Sequence, residues 1–80
     1  MHIQLMGRLR SAMNADKLFL DKHQLFAHQL IPEIILAYPE LASALNDKGI
    51  KIAVNQCFVN QDHELNTADE IALLPPVSGG

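Results

Sequence analysis

An α+β fold, with one main helix on one face of a mixed sheet of about four to five strands, is predicted by two observations on this 80-residue chain. Apolar and polar residues alternate near both ends of the sequence, and only between His23 and Tyr38 does the spacing become helical. With 49% hydrophobic residues, 19% charged residues and a net charge of -3, the chain suits one compact domain and is too apolar for intrinsic disorder. No stretch approaches the roughly 20 apolar residues of a membrane span. Met1-His2-Ile3-Gln4-Leu5 lacks the basic start and long apolar block of an export signal, so a cytoplasmic setting is expected. The lone Cys57 closes no internal disulfide. Six scattered basic residues against nine acids form no stripe that could track a phosphate backbone, so nucleic acid is not an expected partner.

Taken in order, Ile3, Leu5 and Leu9 suggest a first strand closed by a turn at Asn14-Ala15-Asp16, with Lys17-Leu18-Phe19-Leu20 returning. From His23 to Tyr38, Phe26, Leu30 and Ile34 recur every fourth residue beside Ile31 and Ile35, which predicts the helix. Pro32 interrupts it. An interior proline removes an amide donor at a cost of roughly 3 kcal/mol, so either a kink or a junction of two short helices is expected there. Pro39 stops the helix, and Glu40 to Asn46 adds a short second one. Ile50, Ile52 and Val54 alternate, Asn55-Gln56 turns the chain, and Cys57 and Val59 resume the pattern around Phe58. This hairpin makes Cys57 a buried, inert thiol rather than a sulfur relay. Residues 61–69 suggest polar connections around Leu65, with Asp62-His63 in a turn and no nucleophile beside them. Asp69-Glu70 suits either a basic partner or plain solvation, and Glu70 to Leu74 forms the last strand. The order strand, strand, helix, strand, strand, strand is that of the β-grasp, or ubiquitin-like, arrangement over residues 1–74.

Residues 75–80, Pro75-Pro76-Val77-Ser78-Gly79-Gly80, cannot join the sheet, because proline donates no ladder hydrogen bond and glycine has no side chain to pack. Extended, they reach roughly 20 Å, far enough to carry a carboxylate into a narrow cleft on another protein. On the last strand, alternation sets Ile71 and Leu73 on one face and Ala72 and Leu74 on the other. Phe58, out of phase with Cys57 and Val59, is expected to join Leu74, Ala53 and Ala72 in an exposed apolar patch that a partner covers. His23 and His28, five apart, do not align on one helical face, and no metal site is expected.

Ala53-Val54-Asn55-Gln56, Val59, Asp62-His63, Leu65, Asp69-Glu70-Ile71-Ala72 and the closing Pro-Pro-Val-Ser-Gly-Gly together resemble the small, sulfur-carrying subunit of molybdopterin synthase. The likeness is close over residues 50–80, with a fainter match at Tyr38-Pro39-Glu40-Leu41. It implies that an adenylating, E1-like activating enzyme activates the Gly80 carboxylate and that a sulfurtransferase system replaces the adenylate with sulfur. The resulting thiocarboxylate then serves the large synthase subunit, giving sulfur to cyclic pyranopterin monophosphate in molybdenum cofactor biosynthesis. The same resemblance implies a chain with no catalysis of its own and no bound cofactor or metal, only the covalent thiocarboxylate. Chains of this type usually carry an aromatic at Leu74, a glycine at Ala68 and an aromatic pair near Met6-Gly7. A left-handed backbone at Ala68 would then cost on the order of 1 kcal/mol. A sulfur carrier for thiazole synthesis shares the fold and the Gly-Gly end but typically lacks the Pro-Pro-Val-Ser block. A ubiquitin-like modifier joined to lysines is a further alternative, and a ubiquitin-like interaction domain would ignore Gly80.

Overall fold

Ile3 and Leu5 point inward from the first strand, β1 (His2–Leu5), while His2 and Gln4 point out, as their alternation requires. The computed structural model describes residues 1–46 and 49–76. After β1 come α1 (Arg8–Met13), β2 (Lys17–Phe19), β3 (Gln24–Phe26) and α2 (Ala27–Ala37). A 3₁₀ turn (Pro39–Leu41) leads into α3 (Ala42–Leu45), and β4 (Lys51–Val54), β5 (Cys57–Phe58), β6 (Glu64–Asn66) and β7 (Ile71–Leu74) complete the chain's described elements. Five strands form one sheet in the order β2-β1-β7-β4-β5, while β3 and β6 pair separately.

The first and last strands, β1 and β7, lie parallel at the middle of the large sheet, and the other pairs are antiparallel. Register then builds the core in rows. Ile3 faces Ile71, which faces Val54; Leu5 faces Leu73, which faces Ile52. All six are buried, and Leu30 and Ile34 of α2 belong to the same cluster. Burying each such side chain contributes roughly 1.5–3 kcal/mol. No polar or charged residue is buried among those described. Two ion pairs among the described residues, Arg10 with Asp16 at 3.7 Å and Lys22 with Glu33 at 3.5 Å, lie near the surface, where such pairs contribute about 1 kcal/mol at most.

Pro32 neither ends nor splits the helix: α2 runs continuously through it, with the proline on the exposed side. The open amides at the start of α2 are met by loop carbonyls, Ala27 N–H donating to His63 at 2.8 Å and His28 N–H to Gln61 at 3.1 Å. Gln29 Oε1 accepts from Phe26 N–H at 3.0 Å. The helix begins later than its spacing suggests, because Gln24 to Phe26 are strand, with Leu25 opposite Leu65 of β6. Leu65 therefore belongs to a strand rather than to a polar connection. Leu9, expected in the first strand, is instead the buried residue of α1.

Asn55 and Gln56 turn the β4–β5 hairpin with φ of 52° and 71°, both left-handed. Asn55 also locks this turn to the approach to β7. Its Nδ2 donates to Asp69 Oδ1 at 3.2 Å, and its Oδ1 accepts from Glu70 N–H at 3.0 Å. Asp69 Oδ2 accepts from Asn66 N–H at 2.9 Å. The corner expected to need a glycine at Ala68 is held by this carboxylate, and Ala68 is not among the residues with positive φ. Gln56 bears the strain of a position that favours glycine. Gln56→Gly is expected to raise stability by about 0.5–1 kcal/mol, read as a melting temperature several degrees higher. Asn55→Ala loses both the left-handed tolerance and two hydrogen bonds, and is expected to cost about 2 kcal/mol in denaturant titration.

Candidate functional site

The sheet face away from α2 is uncovered, and the residues on it follow from strand register. Gln4, Ala72, Ala53 and Phe58 form one row across β1, β7, β4 and β5. Leu74 faces Lys51 in the next row. Because the two central positions are alanines, the middle of the face is a trough between taller side chains. Its first groove, about 280 Å³, is lined by Met6, Ala53, Phe58, Ala72 and Leu74, with Gln4, Gln56 and Glu70 supplying polar atoms. A second groove of about 350 Å³ lies between Phe58, Leu74, Pro75 and Pro76, with Gly49 and Lys51 beside them. Phe58 and Leu74 line both grooves.

Phe58 is 67% exposed although it is a large aromatic, and Met6 is 44% exposed. Leu74 and Ala72 are half-buried, while Ile71 and Leu73 are buried on the opposite face. Ala53 departs from expectation: at 9% exposure it is the floor of the trough rather than part of an exposed patch. Ala72 and Phe58, its register partners, flank it. Cys57 is exposed, contrary to the expected buried thiol. Its register partner Val54 is buried, so alternation assigns the face correctly, but β5 is a two-residue edge strand and Cys57 lies beyond the cover of the core. Asp62-His63 lies where a turn ends, Asn60 Oδ1 accepting from Asp62 N–H at 3.0 Å. Asp69 is engaged within the chain, whereas Glu70 is exposed at the groove rim.

The tail begins where β7 ends. Met6 N–H donates to the Leu73 carbonyl at 3.1 Å, carrying the β1–β7 pairing up to the root. Pro75 and Pro76 follow, half-buried against the second groove. Val77, Ser78, Gly79 and Gly80, expected to form the working end, lie outside the described residues. Met6, Gln4 and Lys51 were not among the expected site residues, although the outward phase of β1 and β4 was the signal that could have placed them there.

A five-stranded sheet with one main helix on one side, an open face centred on apolar residues on the other and Pro75-Pro76 leaving the last strand at its rim defines a ubiquitin-like β-grasp protein. Residues 3–80 match the ThiS family, and the chain belongs to that family. It is 33% identical over 82 residues to the molybdopterin synthase sulfur carrier subunit of Dictyostelium discoideum, covering 98% of this chain and 93% of that protein. To the subunit of the same name from Escherichia coli (strain K12) it is 51% identical over 39 residues, 49% of this chain and 48% of the other. Among solved structures it resembles small archaeal modifier protein 1 from Haloferax volcanii, with a TM-score of 0.79, 22% identity and coverage of 99% and 97% of the two chains. It also resembles a chain of the complex of subunits 1 and 2 of molybdopterin-converting factor from Helicobacter pylori 26695 (TM-score 0.65, 25% identity, 99% and 96% covered).

Phe58→Ala removes an exposed ring, so fold stability is expected to change by about 0.5 kcal/mol or less while affinity for a partner seated on this face falls about tenfold or more. Leu74→Glu is expected to weaken the same binding with the melting transition retained. Titration calorimetry beside thermal melts checks both.

Proposed function

We propose that this chain is the sulfur-carrying small subunit of a molybdopterin synthase, a protein handle that presents one sulfur atom on its C-terminal glycine. The observation that carries the reading is the apolar face running without interruption into the tail root, from Phe58 through Leu74 to Pro75 and Pro76. Support also comes from the 33% identical relative, named as such a subunit along nearly its whole length. A large-subunit partner is supported by the Helicobacter pylori neighbour, which was solved as a complex of two subunits.

In this reading Gly80 does the chemistry. A carboxylate ionised near neutral pH is a poor electrophile, so one oxygen first attacks the α-phosphate of ATP on an E1-like adenylating enzyme, with loss of pyrophosphate. A persulfide of a sulfurtransferase system then displaces AMP, and a thiol reduces the resulting acyl disulfide, leaving a thiocarboxylate and the oxidised disulfide. Docking of the open face on the large subunit makes that sulfur effectively intramolecular with its acceptor, cyclic pyranopterin monophosphate. The sulfur bonds to the acceptor while still attached to the acyl carbon, and hydrolysis of that thioester leaves the sulfur on the acceptor and returns the carboxylate. The globular part supplies binding and reach, and the partners supply the catalytic groups.

Two measurements test this. Intact mass of the chain made together with its activating system is expected to show one oxygen replaced by sulfur, and the change is expected to map to Gly80. Deleting Gly80 is expected to abolish sulfur delivery while affinity for the large subunit stays within about twofold, since terminal residues contribute little to a packed face. Retained delivery by the shortened chain would favour a ubiquitin-like interaction domain instead.

A further inference from the structure

Gly7, the residue between β1 and α1, has φ 56° and ψ -134°, a conformation that side chains other than glycine's strongly disfavour. The turn itself accounts for part of this requirement, since Gly7 opens α1, with its carbonyl accepting from Arg10 N–H at 3.1 Å. A second requirement comes from the far end of the chain. A Cβ built on Gly7 would stand 2.9 Å from Pro75 Cγ and 3.5 Å from Pro75 Cδ. The first distance is below ordinary carbon contact, and the pyrrolidine ring has little freedom to retreat. One residue before Gly7 and two before Pro75, Met6 N–H donates to the Leu73 carbonyl. The final ladder bond and the ring contact therefore fall side by side, where the chain leaves the sheet.

We infer that Gly7 is a positioning residue for the tail: its bare Cα is the seat of the Pro75 ring, and this seat sets the direction in which the C-terminal segment departs from the domain. The functional part of the inference rests on the carrier reading above, because only a chain that delivers its terminus needs that direction fixed. Reactions between held groups are sensitive to aim, and a displacement of about 1 Å can cost up to about a hundredfold in rate. A methyl group at position 7 displaces the ring and redirects the tail; the part of the docking face built by Phe58, Ala53 and Ala72 keeps its place, while the second groove shifts with the Pro75 ring that lines it. Its kinetic signature is accordingly a fall in kcat larger than the accompanying change in KM.

The test separates backbone strain from the ring contact. Strain at position 7 acts whether or not the ring is present, whereas the contact requires it, so Gly7→Ala is compared in the native and the Pro75→Ala backgrounds. A nitroxide on Cys57, the sole cysteine and exposed, reports tail direction through paramagnetic broadening of the Val77 to Gly80 amides. The expected result is that Gly7→Ala shifts this broadening profile and lowers kcat for ATP-dependent activation of Gly80 about tenfold. Both effects are expected to vanish in the Pro75→Ala background. Equal effects in the two backgrounds, or a lower melting temperature with an unchanged profile, would overturn the inference. Should Gly7→Ala not fold, Pro75→Ala is compared with Pro76→Ala, and an equal change of profile would likewise overturn it. If the native chain is not activated at all, the carrier reading fails, while the broadening profile still decides whether Gly7 aims the tail.

Discussion

The parallel pairing of β1 with β7 is the constraint on which the rest of the molecule depends. Parallel neighbours cannot be joined by a tight turn, so the chain between these strands serves as their connection, adding β2, β4 and β5 to the sheet and packing α2 over one face. The pairing also places the last strand at the sheet's interior, hydrogen-bonded to β1 on one side and β4 on the other. Chain ends are ordinarily where order is lost first. Here Leu73, two residues before Pro75, is fully buried, so the point where the chain leaves the sheet is anchored in the core.

The same topology divides labour between the faces. One carries the rows of Ile3, Ile71 and Val54 and of Leu5, Leu73 and Ile52. The other presents alanines flanked by Phe58, Leu74 and Met6, shaped to receive rather than to be filled from within. Exposed apolar side chains on a small domain are common singly, but grouped around a trough they mark a contact surface. Pro75 and Pro76 leave the sheet at the edge of this surface, so whatever covers the face also meets them.

Much of this was legible in the sequence, to the extent that periodicity had room to register. The helix of α2 and the two faces of β7 were readable because each repeats its pattern. β3 and β6 were not: each is three residues long and contributes one buried side chain, Leu25 or Leu65, too little for alternation to show. Phe26 also fell in step with the helical spacing by coincidence, which hid the strand before α2. α1 buries only Leu9, whose spacing from Leu5 mimicked a continued strand. Cys57 exposes a different gap, since alternation names a face but not whether anything covers it. Ala68 shows that a glycine-shaped corner can be held by a neighbouring carboxylate, a substitution no propensity reveals. The seat of Pro75 on Gly7 joins positions 68 residues apart and leaves no local pattern at all.

Because β1 and β7 alternate inward and outward, and β4 does so except at Ala53, residues that build the core and residues that face outward are interleaved on the same segments. Ile71 and Leu73 can stay fixed while Ala72 and Leu74 vary, and Ile52 and Val54 while Lys51 varies. Ala53, the covered floor of the trough, is the position where the two sets meet. A scaffold of this kind can drift toward a new client by changing its outward letters alone, without re-solving the problem of how to fold.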